Sequence, residues 1–182
     1  MGTRNLTIVY LDGKYKVAQY GQFDGYPEGQ GLTILEFLQE KFVEYKFCKN
    51  LRKLQIAETD EEIKALDTLY KDHWPREFSR DTAADILKMI QNNEVKSGFL
   101  ISEISFASQG DCEWAYVLDL DKRTFEVYEG WNKTPLKESD RFFFLGNYQD
   151  GDYCGVKLVH EWPLNNLPSI KEFTETFKDE DE

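Results

Sequence analysis

Two short stretches near the start of the chain carry a strand-like pattern. Residues 5–11 (Asn-Leu-Thr-Ile-Val-Tyr-Leu) are rich in β-branched and aromatic side chains, and residues 14–20 (Lys-Tyr-Lys-Val-Ala-Gln-Tyr) alternate polar and apolar. Asp12-Gly13 stands between them. A two-residue hairpin loop needs residues that accept positive φ, and Asp-Gly is a favoured pair, so the pattern predicts an N-terminal β-hairpin.

The periodicity then changes. Residues 21–31, with Gly21, Gly25, Pro27, Gly29 and Gly31, read as a loop. Thr33-Ile-Leu-Glu36 has the spacing of a capping box. Ile34, Leu35, Leu38, Phe42 and Tyr45 follow at helical intervals, which predicts one helix over about 33–48. A second box, Thr59-Asp-Glu-Glu62, predicts a helix over about 60–72, and Asp81 is placed to cap a third over about 82–92. Strand-like runs return at 98–106, 113–120, 124–128, 142–145 and 156–162. Pro168 opens a last helix to about 177. Strands come in groups and do not alternate with helices. The order predicts an α+β fold with antiparallel sheets, a single domain over 1–177 and an acidic tail over 178–182.

Composition narrows the function. The chain has 22 Lys+Arg against 34 Asp+Glu, a formal charge of −12. Such a surface repels a phosphate backbone, which argues against nucleic acid as partner and favours a small polar molecule or a basic protein surface. No apolar run reaches the roughly 18 residues of a membrane span, and Cys48, Cys112 and Cys154 are too few and too scattered for a disulfide framework. Both points suit a cytoplasmic protein. His73 and His160 are the only histidines and share no ligand spacing, so no metal or cofactor is expected. The carboxylates Glu113, Asp119, Asp121, Glu126 and Glu129 surround the central strands and read as a solvated sheet face.

The densest set of polar groups is Gln19-Tyr20-Gly21-Gln22-Phe23-Asp24-Gly25-Tyr26-Pro27-Glu28-Gly29-Gln30-Gly31. Loops held between rigid elements often carry binding groups. Arg4, Gln19, Gln22, Asp24, Tyr26, Glu28 and Gln30 are the candidate ligand-binding residues. A phosphate cradle does not fit, since the segment lacks a Gly-Lys-Ser/Thr ending and carries Asp24 and Glu28.

The start, Met-Gly-Thr-Arg followed by a strand, Asp12-Gly13, a return strand and Gln19-Tyr-Gly-Gln-Phe-Asp24, resembles N-terminal-nucleophile hydrolases, nearest the bile-salt hydrolase and penicillin V acylase branch. The resemblance implies a four-layer αββα sandwich and an amide hydrolase, in which Thr3 would attack, the α-amine of Gly2 would serve as base, and Arg4 and Asp24 would orient the substrate. The chain departs from that family at position 2, where Gly2 offers no nucleophile, and at Gln19 and Gln22, which replace an Arg and an Asn. A longer resemblance, carried by Gly-Thr-Arg-Asn-Leu, by residues 17–31 and by Glu113–Leu120 with Phe-Glu-Val-Tyr-Glu-Gly130, is to a family of uncharacterised proteins from phages, bacteria and fungi. It implies a shared fold and ligand loop and no reaction. Two functions are therefore expected to compete. One is a binding domain of hydrolase-like shape that does little or no chemistry, such as a phage-encoded inhibitor of a host protein. The other is an amide hydrolase acting on a small amide or peptide.

Overall fold

A computed structural model describes residues 2–146 and 151–178. Strands β1 (Asn5–Leu11) and β2 (Lys14–Gly21) form the expected hairpin. Asp12 and Gly13 turn it with φ of 55° and 73°, matching the twist of the flanking strands. The other side of β1 pairs with β5 (Trp114–Asp119), β5 with β6 (Thr124–Glu129), and β6 with β7 (Lys157–Pro163). The sheet order is β2-β1-β5-β6-β7. A separate pair joins β3 (Gln55–Ala57) to β4 (Phe99–Ile101).

The fold is α+β, with one correction: β1–β5 and β3–β4 are parallel. A long helical excursion separates the members of each pair, and such a crossover brings the chain back in the same direction. The near-continuous apolar run in β1 is the mark of a strand covered on both faces. Leu6 and Ile8 pack with Ala115, Val117, Tyr128, Phe142 and Val156 on one face. Val9 and Leu11 pack on the other with Tyr116, Phe125, Val127 and the helical residues Ile34, Leu35, Phe47, Ile86, Leu87 and Phe173. The helices thus cover one face of the sheet. Segments with tight turns at Ile104–Ser108 and Phe143–Leu145 cover the other, the second replacing the strand expected at 142–145.

The first helical region begins at Pro27, inside the expected loop, and runs to Lys41. Its α-helical part, α1 (Leu32–Glu36), is flanked by wider turns at Pro27–Gly31 and Phe37–Lys41. With the start displaced to Pro27, Thr33 lies mid-helix and bonds the Gly29 carbonyl at 3.1 Å. The run breaks at Phe42, which is extended, and α2 (Glu44–Leu51) starts afresh. The buried Gln91 amide bridges the break: its Nε2 donates to the Lys41 carbonyl at 2.6 Å and its Oε1 accepts from the Val43 N–H at 2.7 Å. One side chain thereby replaces bonds that an unbroken helix would have made.

Helix α3 (Asp60–Leu69) opens with the predicted Thr59–Glu62 box. Helix α4 (Asp85–Gln91) starts later than expected, and Asp81 does not cap it. Ala83 holds φ at 40°, and the Ala84 N–H is met instead by Gln30 Oε1 at 3.1 Å. A Ser169–Glu172 box opens α5 (Ile170–Thr176). A small apolar cluster of Ala57, Leu66 and Phe78 ties α3 to the β3–β4 pair. No described helix is long and apolar enough to cross a membrane. The acidic tail expected from 178 onward lies, beyond Lys178, outside the described residues.

Candidate functional site

The amino end packs against the 21–25 turn. Asn5, fully buried, donates through Nδ2 to the carbonyls of Thr3, Gly21 and Phe23 at 3.2–3.4 Å. The Gly25 N–H donates to the Thr3 carbonyl at 3.1 Å, and the Tyr116 hydroxyl to the Gly25 carbonyl at 2.7 Å. Burial holds the Tyr116 phenol well above its usual pKa, so it stays a donor. Gly2 lies so near the loop that a Cβ there would sit 2.2 Å from the Gln22 carbonyl oxygen.

Most of the polar groups in this region are engaged within the protein. Gln19 donates to the Ser79 carbonyl, Gln22 accepts from the Tyr20 hydroxyl, and Gln30 accepts from Ala84. Asp24, at φ 53°, accepts the Gln30 N–H on its carbonyl. Arg4 pairs with Asp111 at 2.9 Å, and its N–H donates to Glu113. Thr3 is 4% exposed. Gln19 also lines a cleft beside α3.

Tyr26 and Glu28 point elsewhere. They form one wall of a cleft of about 510 Å³ at the end of strands β5, β6 and β7. Trp114 and Glu129 stand directly opposite each other across β5 and β6 and line its floor with Val159 and His160 of β7. The His160 ring stacks on Trp162 at 5.0 Å and meets the edge of Phe177, from the end of α5, at 5.8 Å. Glu113, Trp131, Thr176 and Lys178 complete the lining.

Gly130 explains how Trp131 reaches this position. A Cβ at Gly130 would lie 1.9 Å from the Cys112 carbonyl oxygen, so only glycine passes there. The next residue, Trp131, is left-handed at φ 58° and 58% exposed, with Tyr153 edge-on at 5.4 Å. A left-handed L-residue costs about 1–2 kcal/mol. Among the described residues, the cleft thus combines exposed aromatic faces with the carboxylates Glu28, Glu113 and Glu129 and the ammonium of Lys178, and Glu113 also accepts the Arg4 N–H. Aromatic faces and carboxylates both attract cations.

A second feature departs from the pattern the sequence predicts. Asp119 and Glu126 are not solvated: both are buried with Arg141. Arg141 donates to both oxygens of Glu126 at 2.8 Å and to Asp119 at 2.5 Å. Tyr128 and Thr124 hydroxyls donate to Glu126 at 2.6 and 2.8 Å. Burial alone would raise the Glu126 pKa, but the bonds and charge of Arg141, helped by both hydroxyls, bring it below the usual glutamate value. Burial, then the Glu126 charge, push the Tyr128 phenol up. A cleft of about 460 Å³ beside the cluster is lined by Tyr10, Tyr15, Lys122 and Ser139 as well. The ion cluster fastens the segment after β6 to the sheet, and a carboxyl held ionised is a poor general acid. The i, i+2 spacing of Thr124, Glu126 and Tyr128 was the available signal that these groups share a face.

Among the described residues, no group of three or more His, Cys, Asp or Glu could hold a metal ion. No family model matches the chain, and no curated protein or solved structure matches it either.

Proposed function

We propose that this chain is a non-catalytic binding domain that receives a positively charged group of a basic protein surface in the Trp131 cleft. The observation that carries this reading is the lining itself: Tyr26, Trp114, Trp131 and Phe177 beside Glu28, Glu113 and Glu129. The charge of −12 steers a basic partner toward the domain. The test is a tryptophan-fluorescence titration of the whole chain with tetralysine, using tetraglutamine as control. Tetralysine should change the emission, bind more weakly as salt rises, and lose its effect in the Trp131→Asn variant. Equal binding of tetraglutamine, or no response to tetralysine, would overturn the reading.

The amide-hydrolase alternative draws support from the packing of the amino end against the 21–25 turn. The burial of Thr3 weighs against it, because an attacking hydroxyl must meet substrate. The helices on one face of the five-stranded sheet, with irregular segments on the other, support a simpler layering than a four-layer sandwich. A Thr3→Val variant separates the two functions: a hydrolase loses turnover of small amides, whereas a binding domain keeps its tetralysine affinity.

A further inference from the structure

A different cleft, of about 310 Å³, lies between the edge of the sheet at β2 and the cluster formed by α3, β3 and β4. Ile63, Trp74, Phe78 and Ile101 give it apolar walls. Trp74 is 46% exposed and meets Phe78 edge-on at 5.3 Å, which leaves indole surface for a guest. Gln19 and Tyr20 supply the β2 side, and the amide of Gln19 is fixed on Ser79.

The charged groups of this cleft do not neutralise one another. Arg80 lines it, and its guanidinium rests over the Phe23 ring at 5.9 Å; it is in no ion pair among the described residues. Glu103 lines it too, also without an ion pair, and partial burial raises its pKa. Asp67 and Glu77 are the other carboxylates, and Glu77 accepts the Ser97 N–H at 2.8 Å. A simple anion placed here would face Asp67 and Glu103. A simple cation would face Arg80. A guest carrying both signs on an apolar body meets every wall favourably.

We propose that this cleft binds a free α-amino acid with an apolar side chain. Its carboxylate pairs with Arg80, its ammonium with Glu103, and its side chain lies against Trp74, Phe78, Ile63 and Ile101. The volume is at the small end of ligand pockets, which suits one amino acid better than a nucleotide or a peptide. The two walls come from different packing units, so an occupant clamps the α3 cluster to the sheet and raises thermal stability by mass action.

The test is calorimetric titration and thermal unfolding of the whole chain with L-phenylalanine and L-leucine. The comparison ligands are phenylalaninamide, which lacks the carboxylate, and 3-phenylpropionate, which lacks the ammonium. Both amino acids should bind and raise the melting temperature, and each one-charge analogue should bind about tenfold or more weakly. Arg80→Gln should abolish the preference for phenylalanine over its amide. Glu103→Gln should abolish the preference over 3-phenylpropionate. Both side chains are exposed, so the variants keep the fold. No heat and no stabilisation with either amino acid at millimolar concentration would overturn the proposal. So would preferences that survive both substitutions.

Discussion

Arg141 presents Nε and Nη2 to the two oxygens of Glu126, both at 2.8 Å, beneath the segment that follows β6. Glu126 is 1% exposed, so the pair is desolvated as well as hydrogen-bonded. Removing Arg141 leaves Glu126 charged, with only the two hydroxyls and the Lys122 ammonium at 3.7 Å to meet it, which costs more than the pair contributes. Asp119 shares the same guanidinium and would be stranded with it.

Arg141→Met retains the aliphatic stem and deletes the charge. The variant should lose about 3–5 kcal/mol of stability, read from urea unfolding. Adding Glu126→Gln should restore part of the loss, since it removes one stranded charge. A loss below about 1 kcal/mol would show that the pair behaves as an exposed one.

The same pair sets an acid limit. The folded-state pKa of Glu126 lies below the usual glutamate value. A depressed carboxyl contributes stability above its unfolded pKa, and that contribution is lost as pH falls through the folded value. Denaturation midpoints should therefore drop as pH is lowered from about 5 toward 3. In Arg141→Met only the Tyr128 and Thr124 hydroxyls and the Lys122 ammonium at 3.7 Å remain against the desolvation of Glu126, so the fall in stability over the same range should shrink or reverse. Parallel midpoint curves for both proteins would place the acid sensitivity elsewhere.

Gln91 gives a test of the helix break. Its amide is the partner of the Lys41 carbonyl and of the Val43 N–H. Gln91→Leu keeps the bulk and removes both bonds. Each half-buried backbone group left without a partner should cost about 1–3 kcal/mol. Thermal unfolding reports the sum, and amide exchange at Val43 should quicken beyond the change in global stability.

What could be read along the chain was what depends on neighbours in sequence. The Asp12–Gly13 turn and the Thr59–Glu62 cap are local, and both form as their residues dictate. Thr33–Glu36 has the same spacing and fails, because Pro27 starts the helical run earlier. The Ser169–Glu172 box, next to Pro168, has the same spacing and does form. Glu126 looked solvent-facing because polar alternation normally marks a wet face. Arg141, 15 positions away, changes that meaning, and nothing in the β6 pattern announces it. Tyr26 and Glu28 were identified from a polar, glycine-rich segment. Trp131, His160 and Phe177 join them only through the sheet order and the docking of α5.

Trp131 separates a functional reading of the cleft from a structural one. A tryptophan kept for packing would cost about 3–5 kcal/mol when truncated. Trp131 is instead exposed, left-handed, and contacts Tyr153 edge-on. Asparagine tolerates the left-handed region far better than tryptophan. Trp131→Asn should therefore leave stability within about 1 kcal/mol of the parent, the relieved strain offsetting the lost aromatic contact. Tetralysine binding should fall about tenfold or more at the same time. Urea unfolding and the fluorescence of the remaining tryptophans measure the two quantities on one sample. A large loss of stability with binding unchanged would make Trp131 a packing residue and leave the cleft without its principal contact.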